Sequence, residues 1–257
     1  MLAIDLTGRR ALITGAARGI GAGIVRALAQ AGADVTFTYT GSEKGRQAAE
    51  QLVAELQAAG SNVFAHIAAA EDMDQMSHVV AEAAEQMGGL DIVASNVGVT
   101  WVAPLESLDL AGWQRGIRLN LDTAFIAVKA ALPWLLKAGR ADVVLIGSSG
   151  ALDGGGAASF YSAAKAGVEG MMRELVRELP RRGIRVNVIH PAVIDTDLLR
   201  QRYDDEEKRA RLTSQIPVGR LGRPADIGNL VAYLCSDLGS YICGQAILVD
   251  GGRTFAR

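Results

Sequence analysis

Cysteine is nearly absent: the 257 residues hold two, Cys235 and Cys243, both in apolar surroundings near the C-terminus. They make either one disulfide or a pair of buried thiols, and without a signal peptide the thiols are the expectation. Histidine is as sparse. His66 and His190 end apolar strand patterns and His78 lies in a helical one, none at metal-ligand spacing with Cys or Asp, so no catalytic metal is expected. Trp101, Trp113 and Trp134 are too far apart for a nucleic-acid stacking stripe and read as core or pocket wall. A net charge of only −2 gives no general attraction to nucleic acid or to an anionic membrane. No apolar run approaches the roughly 20 residues that span a bilayer, and Met1 to Gly8 carry no basic start. A cytoplasmic protein without a nucleic-acid or membrane partner is the expectation. No proline-rich tract or internal repeat interrupts the chain, and no low-complexity stretch beyond Asp153-Gly154-Gly155-Gly156, so residues 1–257 read as one domain.

What fills the chain instead is alternation. Strand patterns rich in Val and Ile fall at 10–14, 34–39, 62–67, 90–95, 142–147, 184–190 and 245–249. Helical patterns lie between them at about 20–31, 43–59, 73–87, 109–138, 159–182 and 225–235. Such alternation implies an α/β fold, a single Rossmann-type doubly wound parallel sheet of about seven strands with helices on both faces. A cofactor half would occupy about 1–150 and a catalytic and substrate half about 140–257. In these sheets ligands bind beyond the carboxyl ends of the strands.

Two segments carry chemistry. The apolar strand Arg10-Ala11-Leu12-Ile13 runs into Thr14-Gly15-Ala16-Ala17-Arg18-Gly19-Ile20-Gly21, after which Ile24, Val25 and Leu28 follow at helical spacing. Gly15 allows a tight turn, Gly19 a close approach to a pyrophosphate, and Gly21 close helix-to-strand packing, with the helix amides facing the anion. This predicts dinucleotide binding. The second segment is Tyr161-Ser162-Ala163-Ala164-Lys165, whose phenol and ammonium share a helix face four residues apart. An ammonium so placed favours the ionised phenol and tunes it for proton exchange.

With Ser95-Asn96-Val97-Gly98, Asn120, Ser148 and the closing Val249-Asp250-Gly251-Gly252, the sequence resembles the short-chain dehydrogenase/reductase family over essentially its whole length. The 3-oxoacyl-[acyl-carrier-protein] reductase branch is the nearest in pattern. Separations of 13 residues between Ser148 and Tyr161 and 28 between Asn120 and Ser148 match the family. The resemblance implies an enzyme that interconverts a carbonyl and a secondary alcohol by hydride transfer, with Asn120, Ser148, Tyr161 and Lys165 as its tetrad. Ser148 would donate to the substrate carbonyl and Tyr161 would deliver the proton to the developing alkoxide. Lys165 would bind the nicotinamide ribose and lower the phenol pKa, and Asn120 would hold a water linking Lys165 to solvent. Ser149 rivals Ser148, but the 13-residue offset selects Ser148.

The same resemblance assigns cofactor contacts. Gly15, Arg18, Gly19, Ile20 and Gly21 form the loop; Tyr39 and Thr40 end the second strand; Asn96 and Gly98 end the fourth; Pro191, Val193 and Thr196 follow the sixth. Tyr161 and Lys165 complete the set. Tyr39 stands where NAD-preferring relatives carry an acid, and Arg18 where NADP-preferring relatives reach the 2′-phosphate, with Ser42, Lys44 and Arg46 as further donors. NADP(H) is favoured, with NAD(H) the alternative. Departures concern the adenine, where Ala69 replaces the usual acid and either Asp72 or backbone groups must serve, and the pair Pro191-Ala192 in place of Pro-Gly.

Substrate is less defined. An acyl thioester on a carrier protein would want basic residues near the entrance; Arg182 matches one such position, but Gly139 occupies another, with Arg140 beside it. A diffusible ketone, sugar or polyol is the alternative, its pocket built from 99–104, 150–157 and 192–216. The charged run 204–211 reads as a solvated helix face and as part of a lid over the site. A non-catalytic dinucleotide-binding regulator is the rival class, which would have no need of Ser148, Tyr161 and Lys165 together. Family members commonly form homotetramers by pairing the helices at 109–138 and 159–182. Phe125, Val128, Leu132, Val168, Met171, Met172 and Leu175 are the surplus apolar positions expected to serve that pairing.

Overall fold

Strand β1 (Arg10–Ile13) runs up the middle of a seven-stranded parallel sheet. It pairs on one side with β2 (Asp34–Tyr39), outside which lies β3 (Val63–Ile67), and on the other with β4 (Ile92–Ser95). Beyond β4 follow β5 (Ala141–Ile146), β6 (Ile184–Pro191) and β7 (Ala246–Val249), giving the order β3-β2-β1-β4-β5-β6-β7. The order reverses between β1 and β4, which is where a doubly wound sheet opens a crevice at its carboxyl edge. This computed structural model describes residues 3–155 and 158–256. Gly156 of the glycine run and Ala157 of the expected pocket segment lie outside the described residues, as do Met1, Leu2 and Arg257.

The sheet is buried on both faces, and the alternation of its side chains shows it. Ala11 and Ile13 of β1 point to one core with Ile24, Leu28, Phe37 and Leu52, while Leu12 points to the other with Met76, Val80, Leu135 and Val168. The first core is covered by α1 (Gly19–Gln30), α2 (Glu43–Ala58) and α10 (Pro224–Cys235). The second is covered by α3 (Met73–Met87), α5 (Thr123–Leu135) and α7 (Ser159–Glu178). Local signals start these helices where they start. Ser42 caps α2 by accepting from the Gly45 amide at 3.2 Å, and Asp72 caps α3 by accepting from Asp74 and Gln75.

The helix expected over 109–138 is not one helix. It divides into α4 (Leu110–Ile117), a π-helical turn (Arg118–Asp122) and α5. Asn120 provides the reason: its Nδ2 donates to the Gly116 carbonyl at 2.9 Å, the acceptor that its own backbone N–H would use in a regular α-turn. The helix expected to reach 182 ends at Glu178 and is followed by a 3-10 turn at Pro180–Arg182. Two short helices were not foreseen, α6 (Gly150–Asp153) and α8 (Asp197–Arg202), while α9 (Glu206–Ser214) carries most of the charged run read as a helix face. Cys235 and Cys243 are both free thiols, and burial pushes the Cys235 thiol well up. Among the described residues no helix is long and apolar enough to cross a membrane.

Candidate active site

The carboxyl ends of β1, β4, β5 and β6 converge, and each contributes one part of the site. After β1 the chain turns at Gly15, whose φ of 64° is left-handed and whose missing side chain makes room for Val97. Helix α1 then begins without a side-chain cap and with no acid in its first turn. An anion is the natural partner of such a terminus. A methyl at Gly21 would lie 2.6 Å from Ala16 Cα and 2.7 Å from Asn96 Nδ2, so glycine is needed for loop, helix and β4 to meet. Asn96 fixes that meeting. Its Nδ2 donates to the Thr14 and Gly15 carbonyls, both at 3.1 Å, and its backbone N–H donates to Thr14 Oγ1. Thr196, the cap of α8, brings its Cγ2 within 3.4 Å of where a Gly19 side chain would start. These features form the cradle a dinucleotide requires, and the residues present fit that group.

At the adenosine end, Arg18, Lys44, Gln47, Gln51, Asp197 and Arg200 line a cleft of about 450 Å³. Tyr39 is half-buried at the end of β2, and Thr40 is exposed beyond it. Arg46 is engaged by Glu43, and Ser42 by its capping role, which leaves Arg18 and Lys44 as the cations facing the cleft beside Arg200, itself bonded to Asp195. Asp72 is also engaged: its carboxylate caps α3 and its pKa is held down chiefly by the hydrogen bond from the Gln75 amide.

At the other end of the crevice stand the remaining tetrad residues. Ser148 follows β5, and its Oγ accepts from the Gly150 amide at 3.1 Å while its hydroxyl is hydrogen-bonded to Tyr161. No such bond to the phenol is made by Ser149, whose amide instead donates to the Pro191 carbonyl at 2.9 Å. Lys165 is fully buried one helical turn after Tyr161, donates from Nζ to the Ile146 carbonyl at 2.9 Å, and lies 5.9 Å from the centre of the Tyr161 ring. A methyl on Gly98 would meet Lys165 Nζ at 2.9 Å and Asn120 Oδ1 at 3.0 Å, so the glycine lets these two side chains close on the end of β4. The aromatic wall beside them is Trp101 stacked on Phe160, ring centres 4.2 Å apart, with Trp113 packed nearby. Val193 holds the β6 loop through its carbonyl, which accepts from Gly222 at 3.0 Å, and Ile20 is half-buried in the first turn of α1.

Two sequence expectations change here. Lys165 was to lower the Tyr161 pKa, but burial raises it above the ordinary phenol value of 10.0, and only the Ser148 hydrogen bond pulls it back. Desolvation of the buried phenol dominates, and Lys165 is itself pulled down from 10.5 to about 8 by burial. The Asn120 side chain is tied to the neighbouring backbone: both Nδ2 protons are engaged, by Val99 O at 2.8 Å and Gly116 O, and its Oδ1 accepts from the Val99 amide at 3.0 Å. It anchors the loop after β4. Finally, Arg140 and Arg182 precede β5 and β6 and so lie at the amino edge of the sheet, away from Ser148, where Asp237 and Glu178 pair with them.

Two side chains in contact with this machinery escaped the sequence reading. His190 and Glu169 are buried beside Ser148, His190 Nδ1 accepting from the Ser148 amide at 3.0 Å and Nε2 meeting Glu169 at 3.0 Å. A signal existed: Glu169 falls four residues after Lys165, on the same helix face. His66 and His78 remain outside, both facing Glu82. Among the described residues there is no cluster of three His, Cys, Asp or Glu able to hold a metal.

Comparison with known proteins agrees with this geometry. A family model described as enoyl-(acyl carrier protein) reductase matches residues 15–254. An L-rhamnose 1-dehydrogenase (NAD(P)(+)) of Azotobacter vinelandii is 36% identical over 253 residues, 98% of each chain. A 3-oxoacyl-[acyl-carrier-protein] reductase of Staphylococcus aureus is 38% identical over 245 residues, covering 95% of this chain and 97% of the relative. The solved structure of a blue fluorescent protein from a metagenomic library, in complex with NADPH, superposes with a TM-score of 0.88 at 36% identity over 97% of this chain and 99% of that one. The chain belongs to the short-chain dehydrogenase/reductase family and is an oxidoreductase of the carbonyl and alcohol class.

Proposed function

We propose that this enzyme interconverts a carbonyl and a secondary alcohol with NADP(H), using Tyr161 as the acid and base. The hydrogen-bonded pair of Tyr161 and Ser148 beside the buried Lys165, at the carboxyl edge of the sheet, carries the reading. When bound, the dinucleotide supplies or accepts the hydride. Ser148 Oγ accepts from the Gly150 amide, and its single proton, which in the empty site faces the Tyr161 oxygen, turns to the carbonyl oxygen of a substrate when one enters. Tyr161 is protonated at neutral pH, since burial raises its pKa, and stands ready to protonate the developing alkoxide. Lys165 orients the ribose hydroxyls from its seat on the Ile146 carbonyl. Asn120 keeps Gly98 and the following loop against Lys165.

The test is turnover of NADPH with an acetoacetyl thioester and of NADP⁺ with L-rhamnose, the two substrate types that the names of the relatives suggest. Tyr161→Phe is expected to lower the rate on whichever substrate is used by about 10²-fold or more, with dinucleotide affinity unchanged. Retention of more than about a tenth of the activity would remove Tyr161 from the mechanism. The thioester reading has the closer sequence pattern. The pairing of Arg140 and Arg182 with acids at the far edge favours the diffusible alcohol as its rival.

Preference for NADP(H) rests on Arg18 and Lys44, which share one cleft, and on Tyr39, which adds no repelling charge. A charge-assisted bond from Arg18 contributes about 1.5–3 kcal/mol, or roughly 10–100-fold in kcat/KM for NADPH over NADH. Arg18→Ala should cut that ratio toward one. Equal kcat/KM for the two cofactors in the unaltered protein would reclassify it as dual-specific. We further propose a homotetramer, the assembly expected of the family.

A further inference from the structure

Ser148 occupies an unusual place in the ladder between β5 and β6. The Gly147 amide donates to the Ile189 carbonyl at 2.7 Å and the Ser149 amide to the Pro191 carbonyl at 2.9 Å. The amide between them, that of Ser148, donates not to a strand but to the imidazole of His190. An amide can only donate, so Nδ1 must present a lone pair, and the ring proton therefore resides on Nε2, where Glu169 Oε2 accepts it at 3.0 Å. Arg173, on the outer side of α7, holds the other Glu169 oxygen. Gly147 is part of the arrangement, since a methyl there would overlap the His190 ring. Both side chains are buried, His190 completely, and nothing in hydride or proton transfer as described above uses either.

We propose that Glu169 and His190 are positioning residues for the reaction: Glu169 fixes the imidazole tautomer, and His190 fixes the backbone of Ser148 so that its hydroxyl meets Tyr161 and the carbonyl together. This rests on the reading of Ser148 as the hydrogen-bond donor. The pair links the helix that carries Tyr161 and Lys165 to the strand end that carries Ser148, so it sets the distance between the two halves of the acid machinery. Positioning of this kind is worth one to two orders of magnitude in rate when about 1 Å is lost.

The test reads the Tyr161 phenol itself by ultraviolet difference titration, each protein measured against its own Tyr161→Phe partner, so it needs no substrate. Ser148→Ala should move the Tyr161 titration to higher pH, because the serine hydroxyl lowers that pKa. His190→Leu, of similar bulk but without an acceptor, should move it the same way, and His190→Asn, whose Oδ1 replaces Nδ1, should titrate like the unaltered protein. In the Ser148→Ala background His190→Leu should add nothing, and with a turned-over substrate its kcat loss of about tenfold should vanish in that background as well. A His190→Leu protein that titrates like wild type, an Asn variant as displaced as the Leu variant, or an additive effect in the double variant would each overturn the proposal. Should His190→Leu not fold, His190→Phe, which keeps a ring but offers no acceptor to the Ser148 amide, takes its place with the same expectations, and its failure to move Tyr161 counts against the proposal equally. Ser148→Ala without effect on Tyr161 or on kcat would instead remove the reading of the serine on which this rests.

Discussion

The role proposed for Lys165 calls for a cation, yet its burial pulls its pKa from 10.5 to about 8. At about 1.4 kcal/mol for each pH unit, the buried ammonium costs about 3 kcal/mol of stability. The sign follows from the depressed value. Below about pH 8 the full cost is present, and as pH rises from there toward 10.5 the unfolded chain binds more protons than the folded one, so stability increases. Lys165→Met should therefore raise the free energy of unfolding at pH 7 and lose activity, and its advantage should shrink as pH rises through that window. Urea denaturation at pH 7 and pH 10 measures both; an advantage that grows with pH would contradict the burial account. Tyr161 and Lys165 were legible because four residues on one helix put phenol and ammonium on one face, and Ser148 because the family resemblance places a serine 13 residues before the tyrosine. His190 was not. A histidine ending an apolar strand is indistinguishable in sequence from one that packs in the core, and its meaning depends on Glu169, 21 residues earlier on another element. The direction of the Tyr161 shift was equally hidden, because it depends on how much water the fold removes from the phenol.

Helices taught where periodicity is silent. Apolar residues continue at helical spacing from Leu110 to Leu135, so the sequence reads as one unbroken helix. The π-helical turn at Arg118–Asp122 inserts its extra residue without disturbing that pattern, and its cause is a side chain bonding the backbone, which hydrophobic patterning does not register. The turn buries Asn120 and presents its amide to Val99, so one local irregularity ties α4 and α5 to the loop after β4. Asn120→Leu removes three hydrogen bonds and leaves the Val99 amide and two carbonyls without their partner. A loss on the order of 3 kcal/mol is expected, together with faster hydrogen exchange at the Val99 amide and weaker dinucleotide binding. Unchanged thermal unfolding and unchanged Val99 protection would show that the turn is held by other contacts. Helix α8 was illegible for a different reason, and α9 was legible only as a charged face: both carry little apolar stripe, and capping by Thr196 and Asp205 rather than core burial marks where they start.

For the whole molecule, strand and helix alternation revealed the sheet, and its parallel order followed from the length of the crossovers. The face proposed to meet another copy of the chain is less readable. Of the seven apolar positions assigned to pairing, Val128, Val168 and Met172 are buried in the chain's own second core, and Leu132, Met171 and Leu175 pack against it in part. Counting apolar residues on a helix overestimates the surplus whenever a sheet buried on both faces absorbs them. Phe125 alone of the seven is exposed, at 51%, and Leu110 at 70% joins it on the α4 and α5 side. Large exposed side chains, Phe125 on a helix otherwise committed to the core and Leu110 on the mostly exposed α4, are what a partner helix would cover. Light scattering at micromolar protein should give the mass of a tetramer, and Phe125→Arg, which places a charge on that face, should shift the protein to a smaller species at the same concentration. Because Phe125 lies outside the tetrad and the cradle, the smaller species should keep its dinucleotide affinity within about threefold, roughly 0.6 kcal/mol. A monomer in the unaltered protein, or a tetramer indifferent to Phe125→Arg, would place the assembly surface elsewhere or remove it.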